Sequence, residues 1–161
     1  MSSGADEGTE LQTIRGRDFP CIRQFSIFSP NRLGQLLALT RRIESAGIRV
    51  CALSVADSAD CAILRLVVSE PDRCAEVLKQ SRYEYCEIEL IVVAVPEDDK
   101  PLLSIFSTLL SGEIDIHYCF PLLVQPYGRA ALAFHVSDVE VAQQLLTQRN
   151  LTLLTENDLL T

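Results

Sequence analysis

The sequence predicts an α+β fold built from two tandem βαββαβ repeats, each a four-stranded antiparallel sheet with two helices on one face. Three observations carry that prediction. Short apolar runs alternate with helical patterns in the order strand, helix, strand, strand, helix, strand, and the order then occurs a second time. The strands are apolar on both sides, so each sheet needs a cover on the face opposite its helices.

Residues 1–19 are small, polar or charged and lack periodicity, which reads as a flexible tail. From Cys21 the first strand covers 21–28 and stops at Ser29-Pro30-Asn31. A helix over 32–46 follows, with Leu33, Leu36, Leu37, Thr40 and Ile43 at the spacing of one face. Ala46-Gly47 ends it with a residue suited to positive φ, and a second strand runs over 48–56. A turn at Asp57–Asp60 leads to a third strand, 62–68. Ser69-Glu70-Pro71-Asp72 opens a second helix, with Cys74, Val77 and Leu78 facing inward. A fourth strand covers 83–89.

The second pass begins with the apolar strand Leu90–Val95 and the loop Pro96-Glu97-Asp98-Asp99-Lys100-Pro101. A helix carries Leu102, Leu103, Phe106, Leu109 and Leu110, Ser111-Gly112 stops it, and Ile114 begins the next strand. An offset of 66 takes Leu36 to Leu102, Leu37 to Leu103 and Ile48 to Ile114. Past the hairpin the offset is 68, taking Ser69 to Ser137 and Leu78 to Leu146. A two-residue difference placed in a loop is what a duplication leaves. The division is therefore a tail (1–19), a first repeat (20–88) and a second repeat (89–161), each in the ferredoxin-like arrangement. Almost no linker separates them, so they lie in contact, and either the other repeat or a second chain covers the open sheet faces.

The totals narrow the function. Hydrophobic residues make up 48 % of the 161, enough to bury a core. No apolar run reaches membrane-spanning length, and the start MSSGADEGTE is not an export signal, so a cytoplasmic protein without a membrane partner is expected. A net charge of −8 argues against a nucleic-acid partner. The six cysteines have no metal-ligand spacing and read as small buried hydrophobes, so no metal and no cofactor are expected. His117 and His135, on adjacent strands, lack a third partner. No catalytic residue is assigned, and the chain reads as a non-enzyme.

The first loop holds the candidate binding chemistry. Asn31 suits an N-cap, and Gly34 leaves the backbone of the first turn open to a ligand. Free amides at a helix start, on the positive end of its dipole, suit a carboxylate. An ordinary capped helix that meets only water has the same pattern.

FSPNRLGQLLALTRRIESAGIRV, ADCAILRLVVSEPDRCAEVLKQ and the ending LTLLTENDLL, in that order, resemble a tandem ACT-domain protein of the stand-alone regulatory type. The resemblance implies allosteric regulation by a free amino acid held between modules, with ligand contacts at Asn31, Arg32, Leu33, Gly34 and Gln35. It also implies a homodimer and a partner enzyme of amino-acid metabolism. Where the family often has Pro-Gly, this chain has Leu33-Gly34. The second loop has no glycine, and Lys100 stands at the position of Gly34. Asp98 and Asp99 there are possible second-repeat contacts, or simply helix-start residues favouring the dipole. The alternative function is a non-catalytic oligomerisation scaffold, or a regulatory subunit with no ligand site of its own.

Overall fold

The computed structural model describes residues 20–29, 33–57 and 61–160, with Leu33 described in its backbone alone. In chain order the elements are β1 (Ile22–Ser29), α1 (Leu33–Ser45), β2 (Val50–Asp57), β3 (Ala62–Val68), α2 (Pro71–Gln80), β4 (Glu84–Ala94), α3 (Pro101–Ser111), β5 (Ile116–Pro121), β6 (Ala131–Val136) and α4 (Val139–Gln148). Short 3-10 turns lie at Pro126–Gly128 and Asn157–Leu160.

The six strands form one antiparallel sheet in the order β2-β3-β1-β4-β6-β5. The two strands expected at 83–89 and 90–95 are a single strand, β4, and the expected boundary between repeats falls inside it. Its first part pairs with β1, from Phe28↔Glu84 to Ile22↔Leu90. Its last four residues pair with β6, from Ile91↔Phe134 to Ala94↔Ala131. The second repeat's own last strand shrinks to one bridge, Val93↔Leu153, flanked by Leu154 N–H donating to Val92 O and Ala94 N–H donating to Thr152 O.

Three apolar clusters define the layers. Phe25, Ile27, Leu64, Leu66 and Val68 pack against Leu39 and Ile43 of α1 and Cys74 and Leu78 of α2. Ile91, Val93, Phe134 and Val136 pack against Ile105 and Leu109 of α3 and Ala142 and Leu146 of α4. The third joins the opposite faces of the strands: Ile22, Cys51, Ala52 and Val67 meet Val92, Ala94, Phe120, Ala131 and Ala133, with Leu154 and Leu159 from the chain's end. The other repeat therefore covers the open face that the two-sided apolar strands required. Leu123 N–H donates to Cys51 O at 2.8 Å, tying the chain beyond β5 to β2, so the sheet curls until its outer strands meet.

The duplication extends to individual hydrogen bonds. Arg49 and Ser69 exchange two bonds, Arg49 N to Ser69 Oγ (3.0 Å) and Ser69 N to Arg49 O (2.9 Å). Asp115 and Ser137 repeat them at 3.1 and 3.0 Å. Arg82 and Asn150, 68 apart, share a left-handed backbone at φ 58° and 59°. Gly47 at φ 76° corresponds to Glu113 at φ 54°, so Glu113 rather than Gly112 turns the chain after α3. Gly112 has another reason to lack a side chain: a Cβ there would overlap Leu145 Cδ1 of α4.

Several expected burials differ. Leu37 of α1 is half exposed, whereas Leu39 and Ile43 line the core. On α3, Ile105 and Leu109 are buried, while Leu102, Leu103 and Leu110 face outward, Leu110 at 75 % exposure. Helices apolar on most of their surface do not reveal their inner face by periodicity. Cys21, Cys51 and Cys74 are buried and Cys61 partly so, but Cys86 and Cys119 are exposed. Cys86 lies in the part of β4 that pairs with β1, and Cys119 lies on the outermost strand β5.

Candidate functional site

α1 starts immediately after the first loop, of which residues 30–32 lie outside the described residues. Asn31 and Arg32, and the side chain of Leu33, therefore have no structural account. Gly34 sits in the first turn of α1, exposed, and a Cβ there would meet nothing within 4 Å. The first turn contains no acidic residue, so its amides and positive dipole end are not neutralised by their own helix. Gln35 is tied back to β1, since Ser29 Oγ donates to its Oε1 at 2.7 Å. That bond fixes the angle between the strand's end and the helix's first turn.

The second loop is built differently. Asp98 Oδ1 accepts from Lys100 N at 2.8 Å, and its Oδ2 accepts from Ser104 Oγ at 2.9 Å. Asp98 thus holds the start of α3 with both oxygens, and Pro101 occupies the first turn. Asp99 is exposed beside it. Gly34 and Gln35 stand together in the first turn of α1; Asp98 and Asp99 stand in the loop just before α3, at the positions that the offset of 66 matches to Arg32 and Leu33.

A second set of polar groups, not singled out among the candidate residues above, is buried near β1. Glu156, 3 % exposed, accepts from Arg23 Nε at 2.8 Å, from Arg23 Nη2 at 3.2 Å and from Arg23 N at 3.2 Å. The hydrogen bond to Glu156 raises the Arg23 pKa above its ordinary value despite partial burial, and Asp72 adds to the rise. Arg49 Nη2 donates to Leu159 O, and Tyr127 Oη donates to Asp158 Oδ1 at 2.6 Å. These bonds strap residues 156–159 across the sheet. Gln24 and Ser26 are also buried, at i and i+2 on the β1 face turned toward the other repeat. A glutamine inside an apolar strand was the available signal.

His117 and His135 do come together, their ring centroids 4.8 Å apart. Among the described residues, no three His, Cys, Asp or Glu side chains are grouped to hold a metal ion, and no helix is long and apolar enough to cross a membrane.

Comparison with known proteins gives the family. A search of the curated proteins found no match. Among solved structures, the chain is similar to a protein from Bacteroides thetaiotaomicron, with a TM-score of 0.78 and 25 % identity over 86 % of this chain and 95 % of that one. It is similar in fold to the regulatory subunit of aspartate kinase from Thermus thermophilus, with a TM-score of 0.57 and 12 % identity over 81 % and 91 % of the two chains. The same subunit from Thermus flavus gives 0.52 and 12 % over 81 % and 92 %. The model of the ACT domain pair matches residues 20–161. With two ferredoxin-like repeats, one duplicated hydrogen-bond plan and that match, the chain belongs to the ACT domain pair family.

Proposed function

We propose that the chain is a non-catalytic regulatory protein that binds a free amino acid beside the first strand–helix loop. The observation that carries this reading is the open first turn of α1, with Gly34 exposed and no acidic side chain in the turn. The α-carboxylate would lie on the first amides of α1 around Leu33, Gly34 and Gln35, with Asn31 and Arg32 supplying side-chain contacts. The two bonds by which Asp98 holds the start of α3 favour reading the second loop as a helix start over a second carboxylate site. Binding at such a loop couples occupancy to the packing between modules, and through it to a partner enzyme of amino-acid metabolism. Free thiols at Cys51, Cys74, Cys86 and Cys119 fit a reducing compartment such as the cytoplasm.

The second reading is a scaffold without a ligand. Leu37, Leu102, Leu103 and Leu110 leave apolar surface on α1 and α3, which fits a homodimer or a partner enzyme. A thermal-shift screen against free amino acids separates the two. A ligand at about 100 times its dissociation constant adds about 2.7 kcal/mol, and Gly34→Val removes that gain. A flat screen on folded protein leaves the scaffold.

A further inference from the structure

The seam between the two inner sheet faces is apolar along most of its length, but it contains a polar cluster drawn from both repeats. Gln24, Ser26 and Arg65 come from β1 and β3; Tyr118, His117 and His135 come from β5 and β6. Ser26 is the cross-strand neighbour of Arg65, and Tyr118 that of His135. Gln24 is fully buried, and its Nε2 donates to Ser26 Oγ at 2.9 Å and to Tyr118 Oη at 2.8 Å. The Arg65 guanidinium carbon lies 3.9 Å from the centre of the Tyr118 ring. The His135 ring packs 4.9 Å from that of Tyr118, with His117 on its other contact.

The hydrogen bonding of this cluster is incomplete. Arg65 Nε, His135 Nδ1 and Gln24 Oε1 are buried atoms without a partner. Among the described residues, no carboxylate pairs with Arg65. A buried polar atom left unpaired is destabilising, and these three, contributed by both repeats, lie around one tyrosine ring. Stacking on Tyr118 occupies the face of the guanidinium and leaves its in-plane N–H edge free, the edge that takes a carboxylate with two parallel bonds. Burial, reinforced by His117 and Arg65, holds His135 below its usual pKa, so the imidazole is neutral and can donate from Nδ1.

We propose that this seam cluster binds a small hydroxy-carboxylate. The in-plane N–H groups of Arg65 take the carboxylate, His135 Nδ1–H donates to it, and Gln24 Oε1 accepts from the hydroxyl. A hydroxyl fits better than an ammonium group, which the Arg65 charge would repel. The ligand would bridge the repeats at the seam that joins them. The site is separate from the α1 loop and does not rest on that loop binding anything.

The test is an NMR titration of the full chain with glycolate, acetate and inorganic phosphate, following the histidine ring resonances. Glycolate is expected to move the His135 signals saturably, and acetate to bind more weakly because Gln24 Oε1 stays unpaired. Arg65→Met should weaken glycolate by about tenfold or more, and Arg65→Lys, which keeps the charge but loses the fork, by nearly as much. Gly34→Val should bind glycolate as the wild type does, which keeps this result distinct from the fate of the α1 site. The proposal is overturned if neither carboxylate gives a saturable shift, if phosphate alone does, or if both Arg65 variants bind like wild type. Should Arg65→Met fail to fold, Arg65→Lys decides.

Discussion

Replacing Glu156 by alanine tests how the end of the chain is held. The carboxylate is 3 % exposed and accepts three N–H groups of Arg23, one from the backbone and two from the guanidinium. Arg23 is itself 31 % exposed in its side chain, so its release to water is partial. Removing one partner of a fully buried pair costs about 3–5 kcal/mol, and the partial exposure of Arg23 reduces this to about 2–4 kcal/mol. Arg23 also meets Asp72 at 2.9 Å, but Asp72 is 85 % exposed, and such a pair contributes about 0–1 kcal/mol. Urea unfolding of both variants, followed by circular dichroism, separates these contributions. With a slope of about 2 kcal/mol per molar, Glu156→Ala lowers the midpoint by about 1–2 M at unchanged slope, while Asp72→Ala barely moves it. Equal shifts in the two variants, or a loss under about 1 kcal/mol for Glu156→Ala, would refute the assignment of Glu156 as the main tie.

Gly112→Ala places a methyl against Leu145 Cδ1, the tip of a half-buried flexible side chain that can turn aside, and is expected to destabilise by about 1 kcal/mol or less. In a double-mutant cycle, Leu145→Ala should absorb most of that loss, which additive unfolding energies would contradict. Asp98→Ala frees Lys100 N and Ser104 Oγ at the start of α3 and should cost about 1 kcal/mol by thermal unfolding. His135 has a folded-state pKa below its unfolded value of 6.5, from burial first and then from His117 and Arg65; Tyr118 also packs on it. Its contribution to stability is present above that value and lost as pH falls through the folded one. Between roughly pH 8 and pH 5, wild type should lose more stability than His135→Asn in paired urea titrations.

The element order was legible because period-2 and period-3.6 apolar patterns are separated by Gly47, Pro71, Pro101 and Gly112. The two offsets were legible because Ser69 and Ser137 fill the same hydrogen-bonding role in both halves. What escaped has a common physical cause. β4 reads as two strands because its pairing partner changes after Leu90, which no local pattern records. Leu37 and Leu103 look like core residues because α1 and α3 carry leucines on more than one face, and the sheet alone decides which are covered. Glu156 finds Arg23 133 residues away, and Gln24 meets Tyr118 across 94. Such pairs follow from the curled sheet rather than from neighbours in sequence. Of the residues assigned to the α1 loop, Gly34 and Gln35 fall within the described structure, and the open turn at Gly34 agrees with the room that a glycine was expected to leave.

The central claim is that a free amino acid is held on the first turn of α1, and the most direct measurement is a backbone amide NMR titration with each amino acid in turn. The predicted result is a saturable shift of the Gly34 and Gln35 amides by one or a few amino acids, abolished by Gly34→Val while the rest of the spectrum stays dispersed. Unmoved Gly34 and Gln35 amides across the whole set would contradict it.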